Sequence, residues 1–86
     1  MAIDKNSLDS QLVAWVSNWT NLKVEVDLDL FFDLGLDSLH YAELISKVEA
    51  DLGTLLDFSS LSDWESVRTI GGITEFIVSN LGGDHN

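Results

Sequence analysis

Only one stretch of this chain alternates apolar and polar residues as a half-buried β-strand does, and no second alternating run is present to pair with it. The stretch runs from Val24 to Leu30. A single strand leaves its backbone groups unpaired and needs a neighbouring strand. We therefore predict an extended loop over residues 21–37, held to the helices by its alternate apolar side chains. A loop of this length is uncommon in a compact domain unless it serves a function.

Apolar residues at three- and four-residue spacing predict three helices in the rest of the chain. The first runs from about Ser7 to Thr20, and Asn6 or Ser7 can cap its start. The second runs from Ser38 to about Leu52, where Gly53 ends it. Its buried face is formed by Tyr41, Leu44, Ile45, Val48 and Leu52.

The last helix is predicted from its cap, Thr69, to about Asn80. Gly71 and Gly72 lie in its first turn, and close packing against another helix would explain them. A short helical turn is expected from Leu61 to Ser66, with Trp64 packed inward. The sequence thus predicts an all-α fold. We expect a single domain over residues 1–86, with a core at about 7–80 and a flexible tail at 81–86.

The charge of the chain excludes several classes of function. Acidic residues outnumber basic ones 15 to 4, so the formal net charge is -11. A nucleic acid or an anionic membrane would repel such a surface. The 86 residues include no cysteine, which excludes disulfides and thiolate zinc sites, and two histidines cannot build a histidine-rich metal site. No apolar run is long enough to span a bilayer, and the N-terminus lacks a signal peptide's apolar region. We expect a cytoplasmic protein.

The segment from Asp33 to Leu39 carries the most chemical information. It places Ser38 in the first turn of an amphipathic helix, directly after Asp37 and a long loop. The hydroxyl projects outward there, and the positive potential of a helix N-terminus suits an attached phosphate. The alternative is an ordinary helix cap formed by Asp37 or Ser38.

A catalytic role for Ser38 has little support. The serine hydrolase elbow needs a glycine two residues after the serine, and His40 occupies that position. Two residues apart on a helix point about 200° apart, so His40 is badly placed to act as a base. The paired carboxylates, Asp27 with Asp29 and Asp33 with Asp37, are interpreted as a solvated acidic face. We therefore expect no enzymatic activity.

The whole pattern resembles an acyl carrier protein of the phosphopantetheine-binding carrier superfamily. The likeness rests on the motif from Leu30 to Leu39, on the helix that ends at Gly53, and on the segment from Val67 to Ile73. It covers residues 7–80, nearly the whole chain. The resemblance implies a small four-helix bundle, three main helices plus one short helix, with a long loop between the first two.

The resemblance also implies a function. Ser38 would carry 4′-phosphopantetheine, added from coenzyme A by a phosphopantetheinyl transferase, and the thiol of this arm would hold acyl groups as thioesters. Partners would be an acyltransferase, ligase or ketosynthase with basic docking patches, and the carrier itself would be a monomer. A chain this acidic suits fast, electrostatically steered contacts. The predicted docking residues lie around Ser38 on the second helix: Asp37, Leu39, Ala42, Glu43 and Glu49.

The chain departs from the family pattern in its second helix. Lys47 interrupts the acidic face, and His40 and Ala50 stand where many carriers have further acids. The stretch from Leu52 to Thr69 is also longer than in fatty-acid carriers. Both features point to polyketide or other specialised biosynthesis. The start at Met1 and the lack of linkers suggest a discrete protein. There are two alternatives. The protein could be an aminoacyl carrier loaded by a stand-alone ligase, or a small acidic interaction module without a prosthetic group.

Overall fold

The computed structural model describes residues 4–60 and 63–82, and the side chains of residues 60, 81 and 82 are left out of the description. The elements are α1 (Lys5–Ser17), α2 (Ser38–Leu52), 3₁₀ turns at Phe58–Ser60 and Trp64–Val67, α3 (Ile70–Ile77) and a π-helical turn at Val78–Gly82. The described residues form no β-strand beyond one isolated bridge, so the predicted small all-α bundle is confirmed. In this part of the chain, no helix is long and apolar enough to cross a membrane.

α1 begins and ends earlier than its apolar spacing predicted. Its cap is Asp4, whose carboxylate accepts hydrogen bonds from the Asn6 N–H and from the Ser7 hydroxyl, both at 3.0 Å. The expected caps, Asn6 and Ser7, therefore lie inside the helix. The helix ends at Ser17, because the next residue, Asn18, already leaves the regular hydrogen-bond ladder.

α2 has the bounds that the sequence predicted, and Gly53 ends it as expected. The Gly53 N–H donates to the Glu49 carbonyl oxygen at 2.8 Å. Leu44 and Val48 are fully buried on its inner face, and Tyr41 and Ile45 pack beside them. The outer face, which carries Glu43 and its neighbours, is exposed.

Residues 21–37 form the predicted loop, but it is not extended throughout. The Asp33 N–H donates to the Asp29 carbonyl oxygen at 2.9 Å and the Gly35 N–H to that of Phe31 at 3.1 Å, so residues 30–34 form a helical turn.

Backbone contacts to the rest of the chain also hold the loop. The Leu30 N–H donates to the Arg68 carbonyl oxygen, and the Gly71 N–H donates to the Val26 carbonyl oxygen, both at 2.8 Å. A single antiparallel bridge joins Asp29 to Thr69. The loop is therefore attached directly to the segment that enters α3.

The apolar cluster of this loop is buried only in part. Leu30, Leu34 and Leu36 belong to the core, and Phe31 packs against it. Phe32 is 84% exposed and does not anchor the loop in the core. These adjacent rings thus differ in burial: the Phe31 ring packs against the core, and the Phe32 ring is exposed.

α3 begins at its predicted cap: the Thr69 hydroxyl accepts a hydrogen bond from the Gly72 N–H at 3.0 Å. The two glycines of its first turn face a loop and a turn, not the helix that the sequence analysis expected. A Cβ at Gly71 would lie 3.2 Å from the Val26 carbonyl oxygen, and a Cβ at Gly72 would overlap the Ser66 carbonyl oxygen. Hydrogen at these positions lets the loop and the 3₁₀ turn approach α3.

The core gathers one face of each helix and the anchored leucines of the loop. Its buried members are Leu8, Leu12, Val16, Leu30, Leu34, Leu36, Leu44, Val48, Val67, Ile70, Ile73 and Ile77. Thr74 is a buried polar residue, and its hydroxyl donates to Asp9 of α1 at 2.5 Å. Asp9 therefore links α1 to α3.

The prediction for the short helical turn was partly wrong. The turn is a 3₁₀ segment at Trp64–Val67, and residues 61 and 62 lie outside the described residues. Trp64 is not packed inward, since it is 58% exposed and only stacks on Phe58, with ring centroids 5.6 Å apart. Phe58 in turn stacks on Phe76 of α3 at 5.0 Å. The predicted tail begins at residue 81, and residues 83–86 lie outside the described residues.

Candidate functional site

The N-terminus of α2 is capped by Asp37, not by Ser38. The Asp37 backbone is extended, and its Oδ1 accepts a hydrogen bond from the His40 N–H at 2.8 Å. This hydrogen bond holds the pKa of the Asp37 carboxyl below its ordinary value. The carboxylate is therefore ionised at neutral pH, and it satisfies a first-turn N–H that the helix cannot.

Ser38 is the first residue of α2, and its side chain is exposed. Its hydroxyl has no hydrogen-bond partner within the described part of the chain. Because Asp37 does the capping, the hydroxyl is available beside the positive end of the helix. Its neighbour Leu39 is 78% exposed and adds an apolar contact surface next to the hydroxyl.

The residues before Ser38 are held firmly by the core. Leu34 and Leu36 are buried on either side of Gly35, whose φ of 72° is a left-handed conformation that favours glycine. The Leu36 N–H donates to the Leu30 carbonyl oxygen at 3.0 Å. These contacts set the position from which the chain enters α2.

Arg68 fastens the loop from the other side. Its Nε donates to Asp29 Oδ2 at 2.8 Å, and its guanidinium carbon lies 4.9 Å from the Phe31 ring centroid and 4.8 Å from that of Phe32. The hydrogen bond from Arg68 lowers the pKa of Asp29 to about 2. Asp29 is therefore not part of the solvated acidic face that the sequence predicted, but is paired with Arg68, which no sequence motif indicates. The signal that could have found Arg68 is the scarcity of basic residues in the chain.

Tyr41 connects α2 to the same junction. Its hydroxyl donates to the Val67 carbonyl oxygen at 2.7 Å, and its ring stacks on Phe31 with centroids 5.3 Å apart. Burial raises the pKa of Tyr41 to about 12. The sequence predicted Tyr41 as an apolar core residue, and the structure shows that its polar end is also used.

Among the described residues, His40 makes no hydrogen bond to the Ser38 hydroxyl, and its side chain contacts Trp19 and Asp37 instead. Its ring lies on Trp19, with centroids 5.2 Å apart. Its Nδ1 is 3.1 Å from Asp37 Oδ1, but the contact lacks hydrogen-bond geometry, so this buried nitrogen is unpartnered among the described residues. The His40 side chain is half-buried.

The five predicted docking residues differ in their surroundings. Four of them are exposed: Asp37 at the cap of α2, and Leu39, Ala42 and Glu43 in its first two turns. Glu49 is half-buried, and its Oε2 accepts a hydrogen bond from the Leu56 N–H at 2.8 Å. Glu49 therefore also fastens the connector that follows α2.

A family model described as "Phosphopantetheine attachment site" matches residues 10–77. The chain belongs to this phosphopantetheine-attachment family. It is a carrier protein of the acyl and peptidyl carrier superfamily, and its prosthetic group is a covalently attached 4′-phosphopantetheine. Searches of curated proteins and of solved structures gave no match.

The residues at the start of α2 fit the prosthetic group of the phosphopantetheine-attachment family. An exposed serine hydroxyl that makes no hydrogen bond to the described residues can form a phosphodiester without breaking a contact. When bound, the group supplies a thiol, which this cysteine-free chain lacks. The chain's own residues then have two tasks: Asp37 caps the helix, and Leu34, Leu36 and Arg68 hold the preceding loop.

Proposed function

We propose that this protein is an acyl carrier protein in which Ser38 is the single attachment point of the 4′-phosphopantetheine arm. The arm holds acyl intermediates as thioesters and delivers them to partner enzymes of polyketide or other specialised biosynthesis. The protein itself acts as a monomeric, non-catalytic carrier in the cytoplasm. Its partners are a phosphopantetheinyl transferase and an acyltransferase, ligase or ketosynthase.

The capping geometry of α2 is the observation that carries this proposal. A serine that caps a helix uses its hydroxyl to accept a backbone N–H. Here the Asp37 carboxylate accepts the His40 N–H, so the Ser38 hydroxyl remains exposed at the helix start. Modification at this position therefore breaks no hydrogen bond to the residues that the structure describes.

The decisive experiment is incubation with coenzyme A and a broad-specificity phosphopantetheinyl transferase, followed by intact-mass measurement. The wild-type protein should gain the mass of one phosphopantetheine group. Ser38→Ala should stay folded and gain nothing, whereas Ser10→Ala, which changes an exposed serine of α1, should load like the wild type. A mass gain by Ser38→Ala would overturn the assignment of the site.

Two alternatives remain to be separated from an acyl carrier. An aminoacyl carrier would bear an amino acid on the same arm, and the intact mass of the protein from its native host would reveal this cargo. Asp37 before the serine favours the acyl type, since peptidyl carriers usually have a histidine there. A plain acidic interaction module would gain no mass with coenzyme A, and the family match argues against it.

We assign partner docking to the surface around Ser38: Asp37, Leu39, Ala42, Glu43 and Glu49. Leu39 and Ala42 offer an apolar contact, and the carboxylates offer charge to basic residues of the partner. Exposed charges of this kind act mainly on the association rate and its salt dependence. Glu43 is the residue best suited to this role, because it is exposed and makes no ion pair within the described residues.

A further inference from the structure

Lys47 differs from the other three basic side chains of this protein. Lys5 pairs with Asp9 at 3.2 Å, Lys23 lies 3.8 Å from Glu25, and Arg68 pairs with Asp29 at 2.8 Å. Lys47 is exposed and forms no ion pair in the part of the chain that the structure describes.

Among the described residues, Lys47 lacks an ion pair although two carboxylates lie within reach on the same helix. Glu43 and Asp51 each lie one helical turn away, at the four-residue spacing that allows ion pairs on a helix. Neither carboxylate pairs with Lys47, although both are exposed and described. The ammonium group of Lys47 and the carboxylate of Glu43 are therefore both free to meet groups on another molecule.

Lys47 shares the outer face of α2 with the proposed docking residues. It lies four residues after Glu43, which lies four residues after Leu39, so all three follow one side of the helix. Lys47 lies about 13 Å along the helix from Ser38 at 1.5 Å per residue. A partner that buries a standard area of about 800 Å² would cover this distance.

We infer that Lys47 is a selectivity residue of the docking face, an inference that rests on the proposed function. The partner it fits is a protein surface with a basic group facing Glu43 and a carboxylate facing Lys47. A docking patch that is basic along its whole length would place a like charge against Lys47. Repulsive elements of this kind set the difference in affinity between right and wrong partners.

The test compares the binding of two charge reversals to one probe, an acyltransferase whose carrier-docking patch consists of lysine and arginine side chains. Lys47→Glu should bind it about two- to tenfold more tightly than the wild type at low salt, with Lys47→Ala in between. The difference should vanish near 1 M salt, where the Debye length is about 3 Å.

Lys23→Glu is the matched control. Both reversals replace one positive charge with one negative charge, so both lower the net charge of -11 by two, to -13. Lys23 lies in the loop that precedes α2, with its side chain 86% exposed. If Lys23→Glu strengthens binding as much as Lys47→Glu, overall charge explains the effect and the inference is wrong. Equal or weaker binding of Lys47→Glu relative to the wild type also overturns it, as does an absence of binding by every variant.

A second arm tests the predicted carboxylate of the partner. Each basic residue of the probe's patch is changed singly to glutamate. One such change should strengthen binding of the wild type and weaken binding of Lys47→Glu, a coupling that a double-mutant cycle measures. If no position shows this coupling, Lys47 does not face the partner. The assay needs no loaded arm, so a failure of Ser38 to gain mass would refute the proposed function and leave this comparison intact.

Discussion

Arg68 and Asp29 lie 39 residues apart in the chain and are joined by two hydrogen bonds, from Nε to Oδ2 at 2.8 Å and from Nη2 to Oδ1 at 3.4 Å. The same Asp29 carboxylate accepts the N–H groups of Phe31 and Phe32 at 2.8 Å. One carboxylate thus shapes the turn that leads toward Ser38 and attaches this turn to the entry of α3. The site is held in place by this pair as well as by the buried leucines.

Removing Arg68 should loosen the loop. Arg68→Ala should lower the free energy of unfolding by more than Lys23→Ala does, because it breaks charge-assisted hydrogen bonds in a partly buried pair whose side chains are 31% and 23% exposed. Lys23→Ala removes a more exposed cation and should change it by less than about 0.5 kcal/mol. Urea denaturation measures both values. Equal stability of the two variants would show that the Arg68 pair does not hold the loop.

Acid should weaken the fold through Asp29. Its pKa is lowered from 3.8 to about 2, first by the hydrogen bond from Arg68. A carboxyl with a lowered folded pKa stabilises the fold above its unfolded pKa and loses this contribution as pH falls through the folded value. The contribution of Asp29 should therefore disappear between about pH 4 and pH 2. Asp29→Asn should show a shallower decline in melting temperature over this range, and an unchanged decline would contradict the assignment.

Alkali should weaken the fold through Tyr41, the single tyrosine of the chain. Burial raises its pKa from 10.0 to about 12. The unfolded chain loses this proton first as pH rises, so the contribution of Tyr41 is complete below pH 10 and falls from there toward pH 12. Tyrosinate absorbance should appear near pH 12 in the folded protein and near pH 10 in denaturant.

Tyr41→Phe provides a check on the same contact at neutral pH. It removes the hydrogen bond to the Val67 carbonyl oxygen and should cost about 1 kcal/mol. The variant should also lose the alkaline decline that is due to Tyr41. Titration near pH 10 in the folded wild type would show that the phenol is not held in the junction.

Glu43 and Glu49 should respond differently to substitution, although both were predicted to dock partners. Glu43→Lys should leave stability within about 0.5 kcal/mol and slow acyl loading by a partner with basic residues, mainly at low salt. Glu49→Ala should cost about 1 kcal/mol, because it removes the acceptor of the Leu56 N–H.

Glu49→Gln separates the charge of Glu49 from its structural role, since the amide oxygen can still accept the Leu56 N–H. A loading rate that falls in Glu49→Gln with stability retained would support docking by this charge. If Glu43→Lys loads as fast as the wild type at low salt, Glu43 is not part of an electrostatic docking face.

Salt should stabilise the unmodified protein. Fifteen acidic residues against four basic ones repel one another in the compact state, and added salt screens this repulsion over about 10 Å at 0.1 M. The melting temperature should rise as sodium chloride increases from low concentration. A steady fall would mean that the few attractive pairs outweigh the excess of negative charge.

Local pattern was enough to predict α2 and the position of Ser38. The spacing of Leu44 and Val48, and Gly53 at the end, are signals carried by neighbouring residues. The absence of a second alternating run likewise predicted a loop over residues 21–37. These features depend on contacts within a few residues, so the order of the residues suffices to infer them.

Tertiary structure decided which polar groups meet. Asp29 pairs with Arg68, Tyr41 donates to the Val67 carbonyl oxygen, and Asp9 accepts from Thr74. Each of these contacts joins segments at least 26 residues apart. The periodicity of apolar residues indicates which side chains face inward, but it does not indicate which distant residues they contact. For the same reason Trp64 was predicted to be buried and is exposed, and Glu49 was assigned to the surface although it binds the connector. The residues alone determined where a serine stands at a helix start, and the neighbouring Asp37 cap leaves its hydroxyl exposed. The packing of distant segments determined how the loop before this serine is held, because Arg68 and Asp29 meet only in the folded chain.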